Sequence, residues 1–477
     1  MIARIGNIIG YFLIILGLCE LLPLVVAFFS GEKNLILPFF ISSLFTVFVG
    51  GALFLSFQVT QERIMRHEII VLMVSIWLIL PFFASFPFMI TGFMTKLTDA
   101  FFEATSALTT SGASLVINLD VLPTAILFWR ALLQWIGGIL VFVMAISILP
   151  LTAIGGMDLF RSVLPHGEGD DMLARMRYAF APLFKIYTGM TMACGFLLFL
   201  SGMDGFTALL TAMAALSSGG FVSQGASNVN SLTGWAELIL IPFMIFAATN
   251  MTYHWAMFKR GRASIYRQDP EIFNFLYTLL LASIIIFLIL MMSGNMQGTS
   301  LFGKAGIAIF TAVSTMTTTG FLPDHASSLP LSVIIISLIL LFIGGTAGST
   351  AGGFKILRIT LMKRHADKEV SQLVYPNGVM PITFSDLVVA QSTLISVWTL
   401  LFLFVTAIAV STILFGVMGY GLQTSFGLSA TNLFSAGNLI TMVSPDFVGY
   451  YSLPYVGKWL ASMVMILGRL EVIALLI

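Results

Sequence analysis

Long stretches without charge alternate with short polar connections along this chain. Residues 35–61, 69–95, 131–157, 272–303, 326–354 and 387–445 contain no Asp, Glu, Lys or Arg. About 20 apolar residues cross a bilayer as a helix. That length predicts spans at 8–30, 37–59, 69–91, 127–150, 182–202, 235–256, 273–293, 331–357, 386–414 and 455–476. The first is read as a retained span, because no small-residue cleavage site follows its apolar run. The span at 331–357 is glycine-rich in its second half, where a helix is easily broken.

A second pattern runs through the outward connections. After the first two spans, each opens with an apolar run too short to cross and closes on small and hydroxyl residues and a glycine. The four are Ser106-Ala-Leu-Thr-Thr-Ser-Gly112, Ala214-Ala-Leu-Ser-Ser-Gly-Gly220, Ser314-Thr-Met-Thr-Thr-Thr-Gly320 and Thr431-Asn-Leu-Phe-Ser-Ala-Gly437. Their last glycines lie 108, 100 and 117 residues apart, a degenerate internal repeat. The unit is span, short re-entrant helix, filter strand, span. The predicted fold is an all-α polytopic membrane protein with four such repeats around a central pseudo-four-fold pore. An N-terminal two-helix hairpin stands outside the repeat. The division is 1–64 for the hairpin, then 65–160, 161–265, 266–370 and 371–477 for the four units.

Composition agrees with a chain committed to lipid. It is 58% hydrophobic and 9% charged, against about 25% charged in soluble domains. A net charge of +1 gives no clustered basic face for nucleic acid. The basic residues set an orientation. With the N-terminus in the cytoplasm, sixteen of the 22 Lys and Arg fall on the inner side, as the positive-inside rule requires. Both termini are then cytoplasmic. Cys19 and Cys194 lie in apolar stretches without metal spacing and read as packing residues. No Walker A, HExxH or nucleophile-elbow pattern occurs, and the five histidines are dispersed, so neither an enzyme nor an organic cofactor is expected.

Irregular backbone at membrane depth is tolerated only where it is buried in protein or lines a water-filled cavity. Four glycine-containing stretches around one axis would build a ring of carbonyls able to replace the hydration shell of a monovalent cation. None of the four contains Asp or Glu, which disfavours a calcium-type site. The competing reading is close helix packing by small residues; four occurrences in phase with the spans favour the pore.

These loops resemble those of the superfamily of Trk, Ktr and HKT potassium transporters. The resemblance rests on Thr317-Thr-Thr-Gly320-Phe, on the stretch from Asp99 to Gly112, and on Trp129-Arg-Ala-Leu-Leu-Gln-Trp-Ile-Gly-Gly138. It rests also on Ile343-Gly-Gly-Thr-Ala-Gly-Ser-Thr-Ala-Gly-Gly353 and Leu467-Gly-Arg-Leu-Glu471. It covers essentially the whole chain, and the hairpin and length point to the TrkH/TrkG branch. It implies uptake of K⁺ across the bacterial inner (plasma) membrane. The implied filter strands are Thr109, Thr110, Ser111 and Gly112; Ser217, Ser218, Gly219 and Gly220; Thr317, Thr318, Thr319 and Gly320; and Phe434, Ser435, Ala436 and Gly437. The ion would meet Thr110, Ser111, Ser218, Gly219, Thr318, Thr319, Ser435 and Ala436. The second and fourth strands depart most from the pattern, which leaves sodium or mixed conduction open. A secondary transporter with broken helices predicts inverted halves and buried acidic coupling residues, and neither is visible.

Two further features concern gating. Five of the eleven residues 343–353 are glycine, each costing roughly 0.5–1 kcal/mol in a straight helix. The resemblance implies a gating loop beneath the filter, formed by Gly344, Gly345, Thr346, Gly348, Ser349, Gly352 and Gly353, with Lys355 at its end. A tight helix crossing with an anchoring lysine is the alternative. Arg469 lies in the last apolar span, where arginine costs about 2.5–3.5 kcal/mol on insertion scales. The resemblance makes it an electrostatic barrier below the filter, with Glu471 as local partner; snorkelling to the inner interface is the alternative. Arg130 and Glu103 are candidates to pair and brace the first filter strand, while an interfacial position explains Arg130 equally well. The short cytoplasmic segments 158–180, 257–271 and 358–381 suit a docking face. By the resemblance, a TrkA-like nucleotide-binding ring would dock there beneath a homodimer.

Overall fold

The computed structural model describes residues 2–57, 66–148, 172–221, 234–261, 266, 269–293, 300–323, 329–376, 378, 381–384 and 387–470. Seven helices among them are long and apolar enough to cross a membrane, or eight if one bent pair counts as a single span. Helices dominate; one two-residue antiparallel pairing joins Thr383–Phe384 to Leu387–Val388.

The N-terminal hairpin runs through Ile2–Cys19 and Leu21–Phe29 and returns through Lys33–Ser56. Gly10 and Gly50 face each other where the arms cross. A Cβ at Gly10 would lie 2.7 Å from the Gly50 carbonyl oxygen, so the close approach depends on the missing side chains. The hairpin is fastened at both ends to the first unit. Arg4 pairs with Glu68 at 2.9 Å. At the turn, the Glu32 carboxylate accepts the free backbone N–H groups of Thr124 (2.6 Å) and Ala125 (3.1 Å), the favoured partner for a helix start.

Four units follow, each with an outer helix, a pore helix and an inner helix. The outer helices are Arg66–Ala84 (continued by Phe86–Ile90), Met172–Leu200, Pro270–Met292 and Gln391–Val417. The pore helices are Leu97–Leu108, Gly205–Leu216, Leu301–Met316 and Leu422–Leu433. At 1.5 Å per residue the longest, of 16 residues, falls short of an about 30 Å hydrocarbon core. They are too short to cross it. Their last turns are fully buried, and each stops at one of the four glycine-containing loops.

The inner helices differ from one another, and here the structure corrects the expected spans. The first, Thr124–Ile148, is continuous. The stretch expected as one span at 235–256 is broken into Gly234–Ala247 and Met251–Arg260, bent by 95° across the break. Asn250 caps the second piece by accepting from Thr252 N–H, so the chain restarts a helix instead of continuing one. The span expected at 331–357 ends at Ile343, where the glycine run begins, and a separate helix starts at Ile356. The fourth is described as Tyr455–Arg469; Glu471 lies outside the described residues. The first span begins at Ile2, not residue 8, and is interrupted at buried Glu20.

Candidate functional site

Each pore helix ends in the same irregular way. Thr110, Ser218, Thr318 and Ser435 sit two residues before the loop glycine and adopt φ of 51°, 51°, 54° and 56°. Among the described residues Lys355 alone joins them as a non-glycine residue with positive φ. Left-handed geometry costs an L-residue roughly 1–2 kcal/mol. It therefore needs bonding around it, and the helix ends supply that. The Ser111, Gly219 and Ala436 N–H groups return to carbonyls five residues back, at Ser106 (2.8 Å), Ala214 (3.0 Å) and Thr431 (2.8 Å). Such closures commonly terminate helices, with glycine in the left-handed position. Here a hydroxyl residue takes that place four times.

The strands that follow close on one another. Gly112, Gly220 and Gly320 have φ of 75°, 62° and 75°. A Cβ at Gly112 would collide with the Gly219 carbonyl, one at Gly220 with the Thr319 carbonyl, and one at Gly320 with the Asn438 side chain. Loop one thus touches loop two, two touches three and three touches four. The circuit closes where Gly437 N–H donates to the Ser111 carbonyl at 2.6 Å. All sixteen expected filter residues, from Thr109, Ser217, Thr317 and Phe434 at the helix ends to the four glycines, are buried in this ring.

Loops one and three are braced from within. Ser106 Oγ donates to the Ala113 carbonyl at 2.5 Å, and Ser314 Oγ to the Phe321 carbonyl at 2.6 Å. Each serine stands six residues before its glycine. Loop two has Ala214 in that place and takes its brace from elsewhere. Gln134, on the first inner helix, donates to the Gly219 carbonyl (2.8 Å) and accepts from Phe221 N–H (3.3 Å). In loop four, Tyr450 donates to the Gly437 carbonyl at 2.9 Å. Burial raises the Tyr450 phenol above its ordinary value, so it stays a donor.

Glu103 and Arg130 pair at 2.7 Å, both buried. Glu103 also accepts from Ser114 Oγ (2.9 Å) and Leu115 N–H (3.0 Å), just past Gly112. The Arg130 guanidinium lies 4.1 Å from the Phe221 ring centroid. An interfacial position for Arg130 is thereby overturned: it is enclosed between the first two loops.

The glycine-rich stretch lies directly under this ring. The helix break at 248–250 frees the carbonyls of Ala247 and Ala248. Thr350 N–H and Thr346 N–H take them at 3.2 and 2.9 Å. Gly352 N–H donates to Thr318 Oγ1 at 2.7 Å, and Gly352 packs against the Phe434 carbonyl. Gly344, Gly348 and Gly353 all have positive φ, which a helix cannot supply. Gly345 accepts from Ile356 N–H at 3.2 Å. Ser349 Oγ accepts from Lys355 Nζ at 3.2 Å, and Lys355 also reaches the Ala351 carbonyl, so the lysine is buried in the loop and is not an interfacial anchor. Glu271, at the start of the third outer helix, accepts from Ala347 N–H at 2.6 Å.

Arg469 joins the two layers. Its Nε donates to the Thr109 carbonyl at 2.7 Å, Nη1 to the Thr350 carbonyl at 3.0 Å, and Nη2 to Thr110 Oγ1. The side chain is buried against the first loop and the glycine-rich stretch, not extended outward as snorkelling would require.

A family model described as TrkH, cation transport protein, matches residues 36–477. The chain belongs to this family. It is 32% identical to a protein named Trk system potassium uptake protein TrkH from Vibrio parahaemolyticus, over 99% of this chain and 97% of that one. It is 31% identical to the Escherichia coli K12 protein of the same name, over 90% and 88%, and 28% identical to Escherichia coli TrkG, over 99% and 96%. The crystal structure of the potassium transporter TrkH from Vibrio parahaemolyticus superposes with a TM-score of 0.90 at 30% identity, covering 99% of this chain and 97% of that one. The TrkH family is one of transporters, not enzymes.

Three polar residues of this TrkH-family site escaped the sequence reading. Gln134 sits inside the quoted Trp129–Gly138 motif, and its signal was an amide one turn beyond Arg130 in a largely apolar span. Tyr450 and Asn438 lie beyond the fourth glycine, where the repeat pattern ends, and nothing in their spacing pointed to the filter. Among the described residues no group of His, Cys, Asp and Glu is arranged to hold a metal ion.

Proposed function

We propose that this chain carries K⁺ into the cell across the bacterial inner membrane, both termini cytoplasmic, through the ring formed by its four filter strands. The observation that carries this reading is the left-handed residue repeated at Thr110, Ser218, Thr318 and Ser435, with each loop touching the next. A closed ring of uncharged backbone suits a weakly hydrated monovalent ion. The division at 1–64, 65–160, 161–265, 266–370 and 371–477 follows from it, with one filter strand per unit. The ion meets Thr110, Ser111, Ser218, Gly219, Thr318, Thr319, Ser435 and Ala436. Each pore helix directs its carbonyl end at the ring, so four helix dipoles favour a cation there.

The loop from Gly344 to Lys355 is the gate, and Arg469 sets a positive charge at the filter's inner exit. Conduction requires the loop to release Thr318 and the Ala247 and Ala248 carbonyls. A homodimer and a TrkA-type nucleotide-binding ring on the short cytoplasmic connections complete the system; the names of the relatives, each part of a Trk system, support more than one component.

The test is flux through purified protein in liposomes, with the ring partner present, comparing K⁺, Rb⁺, Na⁺ and Li⁺. K⁺ and Rb⁺ should pass faster than Na⁺ and Li⁺, and Arg469→Ala should raise the K⁺ rate. Absence of any monovalent flux overturns the reading. An unchanged rate in Arg469→Ala at equal incorporation overturns the role of the arginine.

A further inference from the structure

The fourth loop breaks the pattern of the other three at the level of the glycine. Gly112, Gly220 and Gly320 are left-handed, but Gly437 is not. It opens a short 3-10 turn, Gly437–Leu439. Its N–H is bound by Ser111 and its carbonyl by the Tyr450 hydroxyl. The fourth quadrant therefore turns its glycine carbonyl toward Tyr450.

The Asn438 side chain occupies the region instead. Ideal Cβ positions on Gly112, Gly220 and Gly320 all fall against its carboxamide; the nearest atoms are Oδ1 at 3.1 Å for Gly112 and Nδ2 at 2.7 Å for Gly220. One residue of loop four thus reaches the glycines of all three other loops. The orientation of its amide is fixed by chemistry. Nδ2 donates to the Gly220 carbonyl at 2.9 Å, and an oxygen there would meet another oxygen. Oδ1 must then face the other way. It is buried and accepts no hydrogen bond. A buried acceptor left unbonded costs about 1–3 kcal/mol, so its place in the ring calls for a positive partner. Asn438 borders a cavity of about 240 Å³ lined also by Gly112, Gly220, Tyr450, Tyr451 and Arg130, the last paired with Glu103.

From this arrangement we infer that Asn438 Oδ1 is the outermost cation ligand of the fourth quadrant, replacing the carbonyl that Tyr450 withdraws, and that it helps decide which monovalent ion enters. The inference rests on the proposed K⁺ filter. A side-chain amide oxygen on one side of an otherwise backbone ring makes the entrance asymmetric. Its reach is set by a single rotatable side chain, held by the bond to Gly220.

The experiment compares the full-length protein with Asn438→Ala, Asn438→Leu and Asn438→Asp in liposomes, reading K⁺ and Na⁺ uptake separately. Leu keeps the shape without an oxygen; Asp keeps an oxygen without the donor. Loss of one ligand to a charged ion should lower the K⁺-to-Na⁺ ratio about tenfold in the Ala and Leu variants. Asp should retain K⁺ uptake and half-saturate at lower K⁺. Should Leu fail to elute as intact protein, the Ala ratio decides alone. Unchanged ratio and half-saturation in Ala and in every oxygen-lacking variant that folds overturn the inference while leaving the filter standing. No monovalent flux in the unsubstituted protein overturns both.

Discussion

Loops one and three hold their shape with their own residues, whereas loops two and four borrow theirs. Ser106 and Ser314 reach forward along their own chain to Ala113 and Phe321. Gln134 reaches loop two from another unit, across 85 residues of sequence, and Tyr450 reaches loop four from the connection that follows it. Yet the left-handed residue recurs in all four, within a few degrees. The backbone geometry is therefore the repeated object, and the side chains that enforce it are free to differ. A brace supplied from another helix also ties neighbouring units together, which a local serine does not.

The largest expected effect tests whether that tie holds the ring. Arg130 and Gln134 stand four residues apart on one helix face, at the junction of loops one and two. Arg130→Ala leaves Glu103 buried without its charge partner, at about 3–5 kcal/mol. Thermal unfolding in detergent should show a large fall in Tm, with flux lost. A fall no larger than for alanine at an exposed basic residue such as Lys363 would break the comparison.

Next is the contrast between glycines. Gly320→Ala must hold alanine at positive φ, roughly 1–2 kcal/mol, and push a methyl group into Asn438. Gly437→Ala keeps an ordinary φ and meets the Ala113 methyl at 2.7 Å. K⁺ uptake should be lost in the first and reduced in the second. Equal loss would mean that loop four follows the same rule as loop three.

The braces themselves come third. Gln134→Ala strands both the Gly219 carbonyl and the Phe221 N–H, at about 1–3 kcal/mol each. Ser314→Ala strands one carbonyl. The Gln134 variant should lose more stability and more selectivity, read as Tm and as the K⁺-to-Na⁺ ratio. The smallest effect is expected of Tyr450→Phe, which gives up a bond worth about 0.5–1.5 kcal/mol. It frees the Gly437 carbonyl, and a shift in ion preference with little change in Tm is the expected outcome.

Much of this site was legible because lipid leaves few choices. Charge-free runs had to be helices, and a glycine-ended polar stretch at membrane depth had to be covered or to line a path. That logic located all four irregular glycine-containing loops and the glycine-rich loop below them. It failed where one unit completes another. The 95° break at 248–250 is carried by Ala248-Thr-Asn250, none of them helix breakers like glycine or proline. The break is stabilised by a partner nearly 100 residues away, the Thr346 and Thr350 N–H groups. Gln134, Tyr450 and Asn438 act on loops to which no local pattern connects them. Arg469 was conspicuous as a charge in an apolar run, but its contacts with Thr109 and Thr350 arise only in the assembled fold.

The most direct test of the shared path is a structure of the protein in Rb⁺ or Tl⁺, with the heavy cation located by its anomalous signal. A peak is expected on the axis enclosed by Thr110, Ser218, Thr318 and Ser435. Heavy-ion peaks confined to other sites, with none inside the ring in a protein that conducts the same ion, would contradict it.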